Sequence, residues 1–69
     1  MEPDEIWRTI VKADEALKYA TQEKADRRRQ QAVDRLHEAL REAEAIGNEA
    51  LAEQARRRLT DLGELEGSA

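Results

Sequence analysis

A single histidine, His37, follows Asp34 by three residues. Acidic and histidine side chains at this spacing hold metal ions in carboxylate-bridged helical bundles. Such a centre needs several inward-pointing ligands, whereas this chain has one His and no Cys. Both residues also fall about 100° or more from Leu36 on the helical wheel, outside the apolar stripe of their helix. We therefore predict a surface histidine, with no metal-binding residues and no cofactor.

Paired carboxylates, which general acid–base catalysis requires, occur along the same segment as Glu38, Glu42 and Glu44. A carboxyl group acts as a catalytic acid only where a concave apolar pocket raises its pKa, and a helix surface offers no such pocket. The chain also lacks a glycine-rich loop, and its threonines have no histidine neighbour in sequence. The sequence predicts no catalytic residues, and the chain is not expected to be an enzyme.

Two arginine runs, Arg27–Arg29 and Arg56–Arg58, are the candidate contacts to nucleic acid. Three successive residues spread over about 200° of a helix, so neither run forms one basic patch. The net charge of −4 gives no overall attraction to nucleic acid or anionic lipid. We interpret both runs as solvated faces whose aliphatic stems cover the edge of the core, and we predict no nucleic-acid partner.

The length and composition of the chain limit its fold class and its number of domains. Sixty-nine residues make one small domain, and 41% of them are charged while 3% are aromatic, which is typical of helical proteins. No apolar run approaches the roughly 20 residues of a membrane span. Residues 1–5 are acidic and lack the basic and apolar segments of a signal peptide. We expect a soluble, cytoplasmic protein with no membrane partner.

Helix 1 is predicted over residues 3–20. Pro3 suits the first turn of a helix, where its missing N–H costs nothing. Apolar side chains recur at the helical intervals of four and three residues, at Ile6, Ile10, Ala13, Leu17 and Ala20. Trp7 and Val11 flank this stripe and widen it to about half of the helix circumference. Helix 1 therefore has enough apolar surface for two neighbours.

The phase of this stripe is lost after Ala20, because its continuation falls on charged and polar side chains. We predict a turn within residues 19–24, with Thr21 as the N-cap of helix 2. If Asp26 were the N-cap of helix 2 instead, Arg27–Arg29 would lie at the positive end of the helix dipole, which is unfavourable. Without a turn, a helix of about 43 residues would extend about 65 Å and would need a second chain to cover its apolar residues.

Helix 2 is predicted over residues 22–46 and helix 3 over residues 49–62. Gly47 fits the left-handed C-cap of helix 2, Asn48 fits the N-cap of helix 3, and Gly63 ends helix 3. The apolar stripe of helix 2 consists of Ala25, Ala32, Val33, Leu36, Ala39, Leu40, Ala43 and Ile46. That of helix 3 consists of Leu51, Ala52, Ala55, Leu59 and Leu62.

Because short connections make neighbouring helices antiparallel, the sequence predicts an all-α fold, a compact antiparallel three-helix bundle. Trp7 and Val11 are expected to meet Leu59 and Leu62. Residues 1–63 form the single domain, and residues 64–69 form a frayed polar tail. We predict a monomer that requires no partner, with a helix-mediated homodimer as the alternative. The centre of the core is predicted to contain Ile10, Leu17, Leu36, Leu40 and Leu59.

Acid–base pairs with the acid four residues before the base are expected to form ion pairs within the helices. Each such pair stabilises a helix by roughly 0.2–0.5 kcal/mol. The four pairs are Asp4–Arg8, Asp14–Lys18, Glu23–Arg27 and Glu53–Arg57.

Two stretches carry a resemblance to the tetratricopeptide repeat. Residues 32–39 have the Ala-x3-Leu-x2-Ala spacing of the second helix of that repeat, and Leu59–Gly63 is similar to the large-x2-Leu-Gly of the next first helix. With the Gly47–Asn48 loop, they resemble an α-solenoid hairpin over about half of the chain. The family's following tyrosine is replaced here by Glu66. The resemblance implies a helical module for protein–protein interaction.

The chain also resembles computationally designed helical proteins. The acidic-Pro-acidic opening at residues 2–5, the loop Ile46–Glu49 and the charge-rich segment Ala52–Leu59 are similar to theirs. The less regular residues 19–31 are similar to natural pieces recombined in such designs. This resemblance implies a structural bundle with no biochemical activity, which is our predicted function, with the TPR-like interaction module as the alternative.

Overall fold

The computed structural model describes residues 1–65 of the chain, apart from the side chain of Gln22. Helix α1 spans Pro3–Lys18, α2 spans Ala25–Ala45 and α3 spans Glu49–Asp61, and one 3₁₀ turn, Gln22–Lys24, precedes α2. Helix α2 packs against both α1 and α3, and the latter two also touch each other. The predicted all-α three-helix bundle is confirmed. Within residues 1–65, no helix is both long enough and apolar enough to cross a bilayer.

Helix α1 begins as its sequence predicts. Pro3 is the first helical residue, and Asp4 and Glu5 follow in the first turn, next to the positive end of the helix dipole. The backbone N–H of Glu2 donates to Oε1 of Glu5 at 3.2 Å. The acidic start therefore occupies a backbone donor that the helix itself leaves without a partner.

The first turn lies where the loss of phase predicts it, but its details differ from the prediction. Helix α1 ends at Lys18, two residues before the predicted end, and Thr21 is extended with φ −85° and ψ 162°. The N–H of Lys24 then donates to the carbonyl of Thr21 at 3.0 Å, an i+3→i bond that makes the first turn 3₁₀ rather than α. The predicted start of helix 2 at residue 22 is thereby corrected to Ala25.

The reversal at Thr21 has two further consequences. The hydroxyl of Thr21 makes no capping hydrogen bond, so this residue begins the turn through its backbone and not through the predicted side-chain cap. The longest Cα dimension is 38 Å, well short of the roughly 65 Å of an unbroken helix. The chain therefore folds back on itself.

Both glycine-containing helix ends adopt the Schellman motif. After α2, Gly47 has φ 71°, and the N–H of Asn48 donates to the carbonyl of Ala43 at 2.8 Å. After α3, Gly63 has φ 75°, and the N–H of Glu64 donates to the carbonyl of Leu59 at 2.9 Å. The predicted C-caps are confirmed, although α2 and α3 each end one residue before their predicted ends.

Asn48 also caps the start of α3, as predicted. Its side-chain oxygen accepts the N–H of Leu51 at 3.1 Å, so one residue closes the Schellman motif of α2 and begins α3. Two helices are therefore joined by a connection with little freedom of direction, which sets the antiparallel course of α3 along α2.

The core combines a few large side chains with many alanines. Ile6, Ile10, Leu36 and Leu59 are the largest fully buried side chains. Of the predicted centre, Leu17 and Leu40 are half-buried at its edge. The remaining buried hydrophobic residues are Val33 and six alanines, Ala13, Ala32, Ala39, Ala43, Ala52 and Ala55. The alanines let the backbones approach closely, so the large side chains fill the space between the helices.

Three expectations about burial are wrong. Trp7, which the apolar stripe places in the core, is 44% exposed beside Arg58, because it lies 100° around α1 from the buried Ile6. Ile46 is 45% exposed because it follows the last residue of α2, where the chain turns away from the core. Ala25 is exposed because it is the first residue of α2.

The segment after α3 returns to α2. Arg29 donates to the carbonyl of Leu62 and, at 3.0 Å, to Oε2 of Glu64. Leu65 is half-buried against the core. Of the predicted tail, residues 66–69 lie outside the described residues.

The buried position of Leu36 yields a first prediction. Leu36→Ala is expected to lower the free energy of unfolding by about 2–5 kcal/mol, because the lost contacts leave a cavity in a close-packed core. Ile46→Ala, at a 45% exposed position, is the matched control and should cost less than about 1 kcal/mol. Urea denaturation of the three proteins provides the comparison. Equal losses in both variants would contradict the core described here.

Candidate functional site

The single histidine and the acid three residues before it both lie on α2. His37 is half-buried on α2, and Asp34 is exposed and accepts a hydrogen bond from Nε2 of Gln30 at 2.9 Å. Among residues 1–65, no three His, Cys, Asp or Glu side chains are grouped closely enough to hold a metal ion. Within that range, no third carboxylate or imidazole joins Asp34 and His37.

The three acids on α2 diverge instead of forming a pair. Glu42 lies toward α1, where its Oε1 accepts the N-terminal ammonium of Met1 at 3.1 Å. Glu44 lies toward α3, 3.7 Å from Nη2 of Arg56. Glu38 is exposed on another side of the helix. Each of the first two carboxylates joins two helices rather than contributing to a shared acid–base centre.

The arginine runs are also divided among different contacts. In the first run, Arg29 binds the end of α3, as described above. In the second run, Arg56 and Arg57 contact Glu53 at 3.0 and 3.1 Å, whereas Arg58 binds Asp14 on α1. Within residues 1–65, four of the six arginines in the two runs are thus paired with carboxylates of the same chain.

A polar cluster joins α1 to α3, and we call Trp7, Asp14, Gln54 and Arg58 the seam cluster. Nε of Arg58 lies 2.9 and 3.1 Å from the two carboxylate oxygens of Asp14, and Nη1 donates to the carbonyl and to Oε1 of Gln54 at 3.0 and 2.9 Å. The guanidinium carbon lies 5.7 Å from the centroid of the Trp7 ring, within cation–π distance. It is the most connected polar group described.

The side chains of the seam cluster bond to one another and hold α1 and α3 together. The guanidinium already has a carboxylate, an amide, a backbone carbonyl and an aromatic face as partners, so it has little capacity left for a substrate anion. Only 25% of its side chain is exposed, and its aliphatic stem covers the junction of α1 and α3. The cluster fixes the distance between two helices that otherwise touch little.

Sequence reasoning missed this cluster because it paired charges within single helices. The sequence predicts that Asp14 pairs with Lys18, yet in the structure Asp14 accepts a hydrogen bond from Arg58, 44 residues away. Among the described residues, Glu53–Arg57 is the one predicted i, i+4 pair that forms. A usable signal was the seven-residue spacing of Trp7 and Asp14, which puts them on the same flank of α1.

Two exposed ionisable groups have shifted pKa values. A hydrogen bond to Glu42 raises the pKa of the Met1 ammonium. A hydrogen bond from Arg57 is the largest cause of a lowered pKa of the Glu53 carboxyl; desolvation opposes this shift, and a hydrogen bond from Arg56 adds to it. Both shifts come from surface ion pairs and not from a buried acid or base.

The described concave surfaces are grooves open to solvent. The larger, about 470 Å³, lies along α3 between Glu53, Arg56, Arg57, Thr60 and Asp61. The second, about 200 Å³, lies along the first half of α1 and includes Arg8 and Lys12. The first groove is lined by charged and polar side chains, and the second by such side chains and Met1, whereas most small-molecule pockets are enclosed mainly by apolar side chains.

Comparisons with models of protein families, with curated proteins and with solved structures found no match to this chain.

The seam cluster yields a second prediction. In a double-mutant cycle of Asp14→Asn and Arg58→Gln, we expect a coupling free energy of about 0.5–1 kcal/mol, because the pair is partly exposed but well aligned. Arg57→Gln, one residue earlier, replaces Arg58→Gln in the control cycle and should be additive with Asp14→Asn within about 0.3 kcal/mol. Chemical denaturation gives the four free energies. Equal coupling in both cycles would show that the Asp14–Arg58 contact does not form.

The Glu53 ion pairs yield a third prediction. The pKa of Glu53, measured by NMR titration of its carboxyl carbon, should lie below the ordinary glutamate value and rise in Arg57→Gln. Arg27→Gln is the control and should leave it unchanged. Because the folded-state pKa is lowered, the stabilisation is present above the ordinary glutamate pKa and is lost as the pH falls through that of Glu53. A Glu53 pKa insensitive to Arg57→Gln would contradict the assigned cause.

Proposed function

We propose that the chain is a structural helical bundle with no catalytic activity and no cofactor. The observation that carries this proposal is the way its polar groups are used. In residues 1–65, apart from the side chain of Gln22, every buried side-chain nitrogen or oxygen has a hydrogen-bond partner, and Asp14, Glu42 and Glu44 form ion pairs with residues outside their own helices. The polar side chains support the fold rather than a reaction centre.

The interior gives further support. Thr9 is the one buried polar residue described, and its hydroxyl donates to the carbonyl of Glu5 at 2.9 Å within the same helix. A catalytic acid or base gains its unusual pKa from burial beside a charge or in an apolar pocket. The described core offers methyl and aliphatic groups at such positions, so a reaction would have to proceed on an open surface.

We further propose that the bundle is of the kind that computational design produces. Support comes from the agreement of several local signals: Pro3 at the first helical position, Asn48 at an N-cap, and left-handed Gly47 and Gly63 after two helices. Agreement between capping, hydrophobic pattern and fold is the criterion that designers apply. Natural proteins more often break these rules at their functional sites.

The second candidate function is a TPR-like interaction module. It is favoured by the α2–α3 hairpin around Gly47 and Asn48 and by the half-exposed Trp7. An array would, however, require an apolar flank on α3 for the next repeat. That flank carries Glu53 and Arg57, which pair with each other at 3.1 Å. The structural bundle is therefore the better supported proposal.

The predicted absence of nucleic-acid partners belongs to the same proposal, and so does the cytoplasmic location. The first is supported by the net charge of −4 and by the pairing of Arg29, Arg56, Arg57 and Arg58 with carboxylates.

A ligand test gives the fourth prediction. Neither zinc nor ferrous iron in molar excess should raise the melting temperature, since a ligand that binds the native state stabilises it by mass action. His37→Ala is the matched control. An increase in melting temperature that disappears in His37→Ala would overturn the structural proposal in favour of a metal site.

A peptide-binding experiment distinguishes the structural bundle from the interaction module. A displayed peptide library is selected on the wild-type chain, and the selected peptides are then measured on Trp7→Ala and on the control Tyr19→Ala, whose side chain is 66% exposed. The structural proposal predicts no peptide whose binding depends on Trp7. Saturable binding that Trp7→Ala abolishes and Tyr19→Ala retains would establish the interaction module instead.

A further inference from the structure

We infer that the outer face of α1 binds a second copy of this chain in an antiparallel orientation. This face, which we call the outer stripe, lies opposite α2. It consists of Asp4, Trp7, Arg8, Val11, Glu15 and Lys18. At 100° per residue, these six side chains cover about 100° of the helix on the side away from the buried Ala13.

The apolar part of the outer stripe is central. Trp7 is 44% exposed and Val11 is half-buried, although both are large and lie near the middle of α1. Neither α2 nor α3 has an equivalent among its exposed positions, which include Asp34 and Arg41 on α2 and Arg57 and Asp61 on α3. Helix α1 alone therefore carries a second apolar strip.

The charges of the outer stripe lack ion-pair partners. Within residues 1–65, Asp4, Arg8, Glu15 and Lys18 form no salt bridge, although Asp4–Arg8 and Glu15–Lys18 have spacings at which helical ion pairs form. The described contact of Lys18 is with the ring of Tyr19, 5.5 Å from its centroid. Four charges are thus available to another molecule.

The order of these charges identifies that molecule as a second copy. In an antiparallel pair of α1 helices with the two-fold axis at Val11, residues whose numbers sum to 22 or 23 are opposite each other. Asp4 then faces Lys18 of the second copy, and Arg8 faces its Glu15, so each interaction occurs twice. Val11 meets its own copy, and Trp7 lies beside it.

The alternative parallel arrangement is excluded by the same charges, because it places Asp4 against Asp4 and Lys18 against Lys18. Like charges directly opposite each other in a helix pair disfavour that orientation. The 16-residue α1 is about 24 Å long, so one helix pair falls below the size of a stable interface. We therefore expect a weak, salt-sensitive dimer at high protein concentration.

Sedimentation equilibrium over about 10 μM to 2 mM, at low salt, tests this inference and gives the fifth prediction. The wild-type chain should shift from monomer to dimer within that range. Lys18→Glu opposes two carboxylates at both ends of the helix pair and should weaken the dimer about tenfold or more. The double variant Asp4→Lys with Lys18→Asp restores opposite charges and should recover dimerisation. Circular dichroism confirms that each variant is folded.

Lys12→Glu is the matched control, because it makes the same charge change on an exposed position of α1 outside the outer stripe. It should leave the dimer within about twofold of wild type. A chain that stays monomeric throughout, or a dimer that Lys18→Glu and Lys12→Glu weaken equally, overturns the inference. Either result leaves the structural proposal intact, since that proposal does not depend on association.

The absence of cysteine from the chain allows a direct test of orientation. Oxidation of Val11→Cys should cross-link two copies, whereas Asp4→Cys should not, since its copy would lie about 21 Å away along the antiparallel pair. Equal cross-linking of Asp4→Cys and Val11→Cys would indicate the parallel arrangement and overturn the inference.

Discussion

Leu36 lies fully buried near the middle of α2, and the bundle depends on the apolar stripe around it. One side of that stripe packs on α1 and the other on α3. Because α1 and α3 touch each other little, α2 is the element through which most of the apolar surface leaves water. The stripe is wide enough for both neighbours only because its flanks are alanines, whose small side chains let two backbones approach the same helix.

In the antiparallel bundle, the start of one helix lies beside the end of another, so a charged side chain can interact favourably with the dipole of the neighbouring helix. Arg27–Arg29 follow the start of α2, an unfavourable position for cations, which argues against Asp26 as a cap. In the antiparallel bundle, however, the positive start of α2 lies beside the negative end of α3. Arg29 donates to the carbonyl of Leu62 there, so a side chain that is poorly placed on its own helix stabilises the neighbouring one.

Signals confined to a few residues predict this structure well. Gly47 and Gly63 mark left-handed caps because only glycine adopts a positive φ at little cost. The change of phase after Ala20 locates the first turn, but not its 3₁₀ character, because a 3₁₀ turn differs from an α turn in its backbone hydrogen bond, here from Lys24 to Thr21, and not in the apolar pattern. Likewise, the Asp14–Arg58 pair joins residues far apart in sequence, and it outcompetes the local pair with Lys18 once α3 has docked.

Trp7 lies at the edge of the core because the neighbouring helices cover only part of the wide apolar face of α1. Its sequence pattern fits a helix with two neighbours, and α1 does have two, but the alanine-rich contact with α2 and the polar seam with α3 use only part of that width. Burial is therefore satisfied by Ile6, Ile10 and Ala13, and the Trp7 ring is left at the edge against the Arg58 guanidinium. A cation on one face of an indole lowers the cost of its exposure to water, and the same arrangement leaves the rest of the ring, with Val11 beside it, as the apolar centre of an outward surface.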